Sequence, residues 1–262
     1  MSLTEDLLEH AWASHDPQRA VIPAAIWRQL RTFKRELAPT AAVIESMLSD
    51  QNLARSVLEP VIRRRGMHRI RLLEDLRRAL PAASLRISNK QILEIFWLSP
   101  KPHIIVDAKS GEDQDCLLAC YALAFPPTAK TLTLHSGWAL EISDHASARL
   151  LQRSPNADLR AAALQAALAF VAADASIVRP MIGKPTSLYL PAGTGAFAAT
   201  VIGGTTQTGK VKIYARCRTY VPQSWLKPDQ KFLPQATDVE NTVAIALWRW
   251  DRIGDSAALV SD

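Results

Sequence analysis

The segment Ser143-Asp144-His145-Ala146-Ser147-Ala148-Arg149-Leu150-Leu151-Gln152-Arg153 sets a histidine, a glutamine and two arginines where they could hold an anion and move a proton beside it. At about 100° per residue, His145, Arg149, Gln152 and Arg153 fall within an arc of roughly 100° on a helix. Leu150 and Leu151 lie toward the opposite side, where a core would be. Ser143 or Asp144 can serve as N-cap, leaving His145 in the first turn. There the helix dipole disfavours imidazolium and keeps the ring neutral, able to act as a base. The free first-turn N–H groups and Arg149 would attract phosphate. The same spacing also describes an amphipathic helix with a solvated polar face.

A second cationic surface is read from Val211 to Tyr220. Strict alternation on a strand turns Val211, Ile213, Ala215 and Cys217 one way and Lys212, Tyr214, Arg216, Arg218 and Tyr220 the other. Cations interleaved with tyrosines suit a polyanion with stackable bases, since the cations neutralise phosphates while the rings accept base faces. An ordinary solvent-facing strand with aromatic cross-strand pairs has the same pattern.

The Ser143–Arg153 segment resembles the Ser-x-His-Ala-x-x-Arg helix of small bacterial ribonuclease toxins of the BrnT and RelE-like superfamily. That resemblance implies helices before a small antiparallel sheet and metal-independent RNA cleavage. His145 would be the general base or acid, with Arg149, Arg153, Arg216 and Arg218 binding phosphate and stabilising developing charge. Tyr214 or Tyr220 would stack on a base. The toxin motif continues Arg-Gly-Ile, where this chain reads Arg153-Ser154-Pro155-Asn156.

A third basic region is the stretch from Arg55 to Arg78. It holds eight arginines against Glu59, Glu74 and Asp75, leaving +5. Four-residue spacings such as Arg71 to Asp75 and Glu74 to Arg78 fit helix-face ion pairs. The cluster Arg63-Arg64-Arg65 has only Glu59 nearby and fits a phosphate backbone, an acidic partner protein, or a solvated face.

Other chemistry is less well supported. Gly204 to Lys210 has the glycines and lysine of a phosphate loop, but Val211 stands where Ser or Thr would ligate magnesium, and a strand follows. A hairpin turn is expected there. Asp107 and Lys109 close an apolar run, and with Glu94 they outline a metal-dependent nuclease as a weaker alternative. Cys116 and Cys120, read on one helix face, could approach His103 but form no recognised ligand set, so buried thiols are expected. No metal and no cofactor are expected. His135 lies on the strand just before the key helix and could join His145.

These residues need elements to hold them. Leu3 to Trp12 has helical spacing after a Ser2-Leu3-Thr4-Glu5 capping box. A second helix carries Ile26, Leu30, Phe33 and Leu37 and stops before Pro39; Thr40 caps a third that runs to Pro60. A fourth spans Val61 to Leu80 with an interruption at Gly66. From Ser84 the period shortens: Leu85–Ser88, Ile92–Leu98 and His103–Val106 read as strands. A helix is expected from Asp113 to Phe125, a strand from Thr131 to Ile142, and helices from Ser143 to about 155 and Asp158 to Asp174. Ser187–Leu190, Ala196–Ile202, Val211–Val221 and Thr242–Trp250 read as an antiparallel sheet. The reading is thus α+β, with a helical N-terminal domain over 1–81 and an α+β domain over 82–262.

Composition bounds the rest. A hydrophobic fraction of 48% with 21% charged residues is that of a globular chain. The net charge of +6 favours acidic partners. Met1-Ser2-Leu3-Thr4-Glu5-Asp6 carries acids where a secretory signal carries cations, and the apolar run near 161–173 is too short to span a bilayer. Three cysteines make no disulfide framework. A cytoplasmic, nucleic-acid-binding protein is expected, RNA ahead of DNA, with no membrane partner. A toxin-type ribonuclease is one form of that reading, and a non-enzymatic module for nucleic acid or an acidic protein is the alternative.

Overall fold

A computed structural model describes residues 21–88, 91–103, 114–125, 132–172, 188–205 and 211–226. Three helices come first: α1 (Ala24–Ser49), α2 (Gln51–Arg63) and α3 (Gly66–Ala79). Four strands follow, β1 (Ser84–Ile87), β2 (Leu93–His103), β3 (Gln114–Phe125) and β4 (Thr133–Ser143). Two helices, α4 (Asp144–Arg153) and α5 (Leu159–Ala172), lead into β5 (Leu188–Ala192), β6 (Gly195–Thr205) and β7 (Val211–Pro222). The seven strands form one sheet in the order β1-β2-β3-β4-β7-β6-β5. Every neighbour pair is antiparallel except β4 with β7, where Leu140, Glu141 and Ile142 lie beside Ala215, Arg216 and Cys217. The fold is α+β: N-terminal helices, then a mixed and mostly antiparallel sheet with two helices packed on it. The expected elements at 2–12, 104–106 and 242–250 lie outside the described residues.

Both faces of the sheet are covered. On one, Leu117, Leu123, Leu140, Ile142, Ala215 and Cys217 pack with α4 and α5. On the other, Ile95, Trp97, Leu118 and Cys120 pack with Leu58 and Ile62 of α2 and Leu76 of α3. α1 serves both, sending Leu30 and Leu37 to the first cluster and Ala41, Ile44 and Met47 to the second. The boundary read near residue 81 falls between the helices and the sheet, whose apolar side chains share these clusters.

Several elements differ from the sequence reading. α1 runs through Pro39, and Thr40 is not a cap but a buried mid-helix residue whose hydroxyl accepts from Ala82 N at 3.4 Å. An interior proline costs about 3 kcal/mol, while each buried Leu or Ile contributes roughly 1.5–3 kcal/mol. Leu37 before the proline and Ile44 and Met47 after it outweigh that cost. The break falls instead at Asp50, whose carboxylate accepts from Asn52 N and Leu53 N. Pro60 likewise lies inside α2.

The expected helix at 113–125 is strand β3. Cys116 through Ala124 are all buried because β3 is an interior strand covered on both faces, and such a strand reads as an unbroken apolar run. β2 runs on through Pro100 and Pro102, whereas two strands were expected there. Its pairing with β1 ends at Ser84 opposite Phe96, so both prolines lie where β2 has one strand neighbour. Two residues apart, they turn the same way and need only one open edge.

Candidate nucleic-acid interface

The Ser143–Arg153 segment is a helix capped as expected, with Ser143 Oγ accepting from Ala146 N. Its polar stripe is neither a solvated face nor an open cleft. Arg149 is only 8% exposed, donates from Nε to His145 Nε2 at 3.4 Å and bonds Gln152 Oε1 at 2.9 Å. Gln152 in turn donates to the Val21 carbonyl at 3.0 Å, tying α4 to the start of α1. Arg153 donates to the Tyr220 carbonyl, and its guanidinium lies 4.7 Å from the centre of the Trp225 ring. The start of the helix carries its own anion: Asp144 is held by Lys34 of α1 at 2.6 Å. Burial is the main influence on the Asp144 carboxyl and raises it, against the pull of Lys34. A first turn already compensated by a carboxylate offers little to a phosphate.

The basic strand does not join this helix as a single surface. Ala215 and Cys217 point into the cluster shared with Ala146, Ala148 and Leu150 of α4. By alternation Tyr214 and Arg216 occupy the opposite face of the sheet. There Arg216 Nε pairs with Glu141 at 3.0 Å, and Arg216 also reaches the Tyr214 hydroxyl at 3.3 Å. Burial and the Glu141 charge raise the Tyr214 phenol. Tyr220 was expected beside the cations but is fully buried against Phe197 on the α4 side. The register explains it: Ala198 faces Thr219 and Ala199 faces Cys217, so Arg218 is an extra residue that reverses the alternation beyond it. Arg218 itself is exposed, and its carbonyl accepts from Ser143 Oγ. For Lys212 only the strand backbone is described.

The other candidates separate in the same way. His135 stacks edge-on against Phe125 at 5.4 Å. It lies eight residues before the end of β4, about 26 Å of strand from the start of α4. β6 and β7 pair antiparallel up to Thr205 opposite Val211, so the Gly204–Lys210 stretch joins a hairpin and opens no helix. Glu94, the proposed second acid of a metal nuclease, is wholly buried and engaged by Arg86 at 2.7 Å, its partner across β1 and β2. Asp107 and Lys109 lie outside the described residues. Among those described, no group of three or more His, Cys, Asp and Glu could hold a metal. Cys116 and Cys120 sit on strand β3, not on a helix, and both are buried. Burial and the Glu141 charge push the Cys116 thiol up to about 12, so it stays protonated.

The arginine-rich stretch behaves differently, because its charges face water. Arg63, Arg64 and Arg65 are exposed in succession where α2 ends and α3 begins, and Arg71 is exposed one turn into α3. Glu59 is shared by Arg55 at 2.7 Å and Arg63 at 2.5 Å, and Arg78 pairs with Asp75 at 3.2 Å. Arg69 is structural, donating to the Arg64 carbonyl at 2.6 Å and so closing the end of α2. Among the described residues Arg64, Arg65 and Arg71 enter no ion pair. A shallow groove on α2 runs beside them, between Arg55, Ser56, Glu59, Arg63 and Arg64.

Three site features escaped the sequence reading: Glu141 as the partner of Arg216, Lys34 as that of Asp144, and Trp225 under Arg153. Glu141 carried a signal, since a lone acid within Trp138-Ala139-Leu140-Glu141-Ile142 must find a cation if the strand is buried. Lys34 and Trp225 are distant in sequence from their partners and left none. Compared with family models, curated proteins and solved structures, the chain matches none. No described helix is long and apolar enough to cross a membrane.

Proposed function

We propose that this chain is an intracellular, non-enzymatic nucleic-acid-binding protein that grips phosphate backbone with the corner between α2 and α3. The observation that carries this reading is the exposed run Arg63-Arg64-Arg65 with Arg71 nearby, in a region whose few acids already serve other arginines. Exposed guanidinium groups keep their charge at every accessible pH and bind phosphate oxygens bidentately. The overall charge of +6 supports approach to a polyanion. Buried, unbridged thiols fit a reducing compartment.

A toxin-type ribonuclease draws less support. Its base, His145, has a buried arginine for a neighbour, while Arg216 belongs to Glu141 across the sheet and Arg153 to the Tyr220 carbonyl. A labelled RNA and a labelled DNA of matched sequence, titrated with the protein at several salt concentrations, test the proposal. Binding that weakens steeply with salt is expected, with the RNA recovered intact. Binding that ignores salt, or no binding, contradicts the proposal. Cleavage lost in His145→Ala and Arg149→Ala would restore the ribonuclease reading.

A further inference from the structure

The α2–α3 corner carries more than charge. Met67 is 65% exposed and Ile70 48% exposed, and they stand three residues apart at the start of α3. That spacing puts both on one side of the helix. Arg64 and Arg65 precede them and Arg71 follows. Phosphate binding needs no apolar group, so two large aliphatic side chains held in water amid cations are unexplained by charge alone.

We propose, building on the nucleic-acid reading above, that this corner is a wedge for duplex DNA. Met67 and Ile70 enter a base step from the minor groove, while Arg64, Arg65 and Arg71 hold the flanking phosphates. Aliphatic wedges of this type unstack one step and kink the duplex, and the bend brings more phosphate to the protein. The segment Gln51–Ala79 contains no Phe, Tyr or Trp. It therefore offers no ring on which a single-stranded base could stack, which separates a duplex from a single strand as the occupant. Gly66, between the arginines and Met67, has nothing within 4 Å of the place a Cβ would take, so backbone can approach the groove closely. The arginines supply charge complementarity to the phosphates on both sides of the wedge.

The test compares the wild-type protein, Met67→Ala/Ile70→Ala and Arg64→Gln/Arg65→Gln on three probes: a DNA duplex of about 20 base pairs with donor and acceptor dyes at its ends, its single strand, and the matching RNA duplex. Wild type is expected to prefer the DNA duplex and raise energy transfer by bending it. The apolar double variant should lose the bend and about tenfold in affinity while keeping its salt dependence. The arginine double variant should lower that salt dependence. Both apolar side chains are exposed, so unchanged unfolding midpoints are expected and are measured alongside. Equal bending by wild type and the apolar variant overturns the wedge, as does equal affinity for single strand and duplex. Tighter binding to phosphatidylserine vesicles than to DNA, or a dimer that the apolar variant dissociates in sedimentation, assigns the patch to a lipid or to a second copy and likewise overturns it. Salt-dependent binding without bending removes the wedge alone; absence of binding to every nucleic acid removes the phosphate-binding reading too.

Discussion

Glu94 shows how little a charged residue's type says about its use. It is fully buried on β2, and Arg86 Nε and Nη2 both donate to the same carboxylate oxygen at 2.9 and 2.7 Å. The other oxygen is buried without a hydrogen-bond partner. Burial therefore prevails over Arg86 and raises the carboxyl above its ordinary value of 4.5. A raised carboxyl binds its proton more tightly folded than unfolded, so its contribution to stability falls as pH rises through that interval. Measured by urea midpoints at matched pH, wild type should lose stability relative to Glu94→Gln between about pH 4 and about pH 6. A relative gain over the same range would mean that the pairing with Arg86 outweighs burial. Gly66 is a second residue-scale case. Its φ of +59° lies in the left-handed region, with open space around it. Gly66→Ala should cost about 1 kcal/mol in urea unfolding from backbone strain alone, and no loss would show that the corner relaxes into another conformation.

At the scale of elements, the corner exists because α2 is set off from both neighbours. Asp50 starts it by accepting from two backbone N–H groups at 2.9 and 3.2 Å, and Arg69 closes its end. Asp50→Ala should lower stability by about 1 kcal/mol, and Asp50→Asn by much less. Equal losses for the two substitutions would point to charge, not capping. The caps and faces of α4, the strands β4 to β7 and the start of α3 were legible because polar caps and apolar period agree there. Where legibility failed, a tertiary contact overrode a local rule. Pro39 stops an isolated helix but not one that buries Leu37, Ile44 and Met47 on either side of it. The run Cys116–Ala124 has no period because both its faces are covered. The alternation after Arg216 fails at the Arg218 bulge, which takes Tyr220 into the core and off the expected cationic face.

The whole molecule separates its cations by role. Lys34, Arg86, Arg149, Arg153 and Arg216 are spent inside, on Asp144, Glu94, His145 and Gln152, the Tyr220 carbonyl and Glu141. They fix helices to the sheet and strands to one another. Sequence alone gives these arginines and those of the α2–α3 corner the same appearance, since only the fold shows which have acids or carbonyls opposite them. The functional reading consequently moves from the histidine helix to the exposed corner. It predicts that the corner supplies a definable share of the electrostatics of binding. Each phosphate contact on duplex DNA contributes about 0.9 to the slope of log affinity against log salt. The most direct measurement is that slope for wild type and for Arg64→Gln/Arg65→Gln on one DNA duplex. A fall of about 1.8 for the double variant is expected. Equal slopes for the two proteins would contradict phosphate binding at this corner.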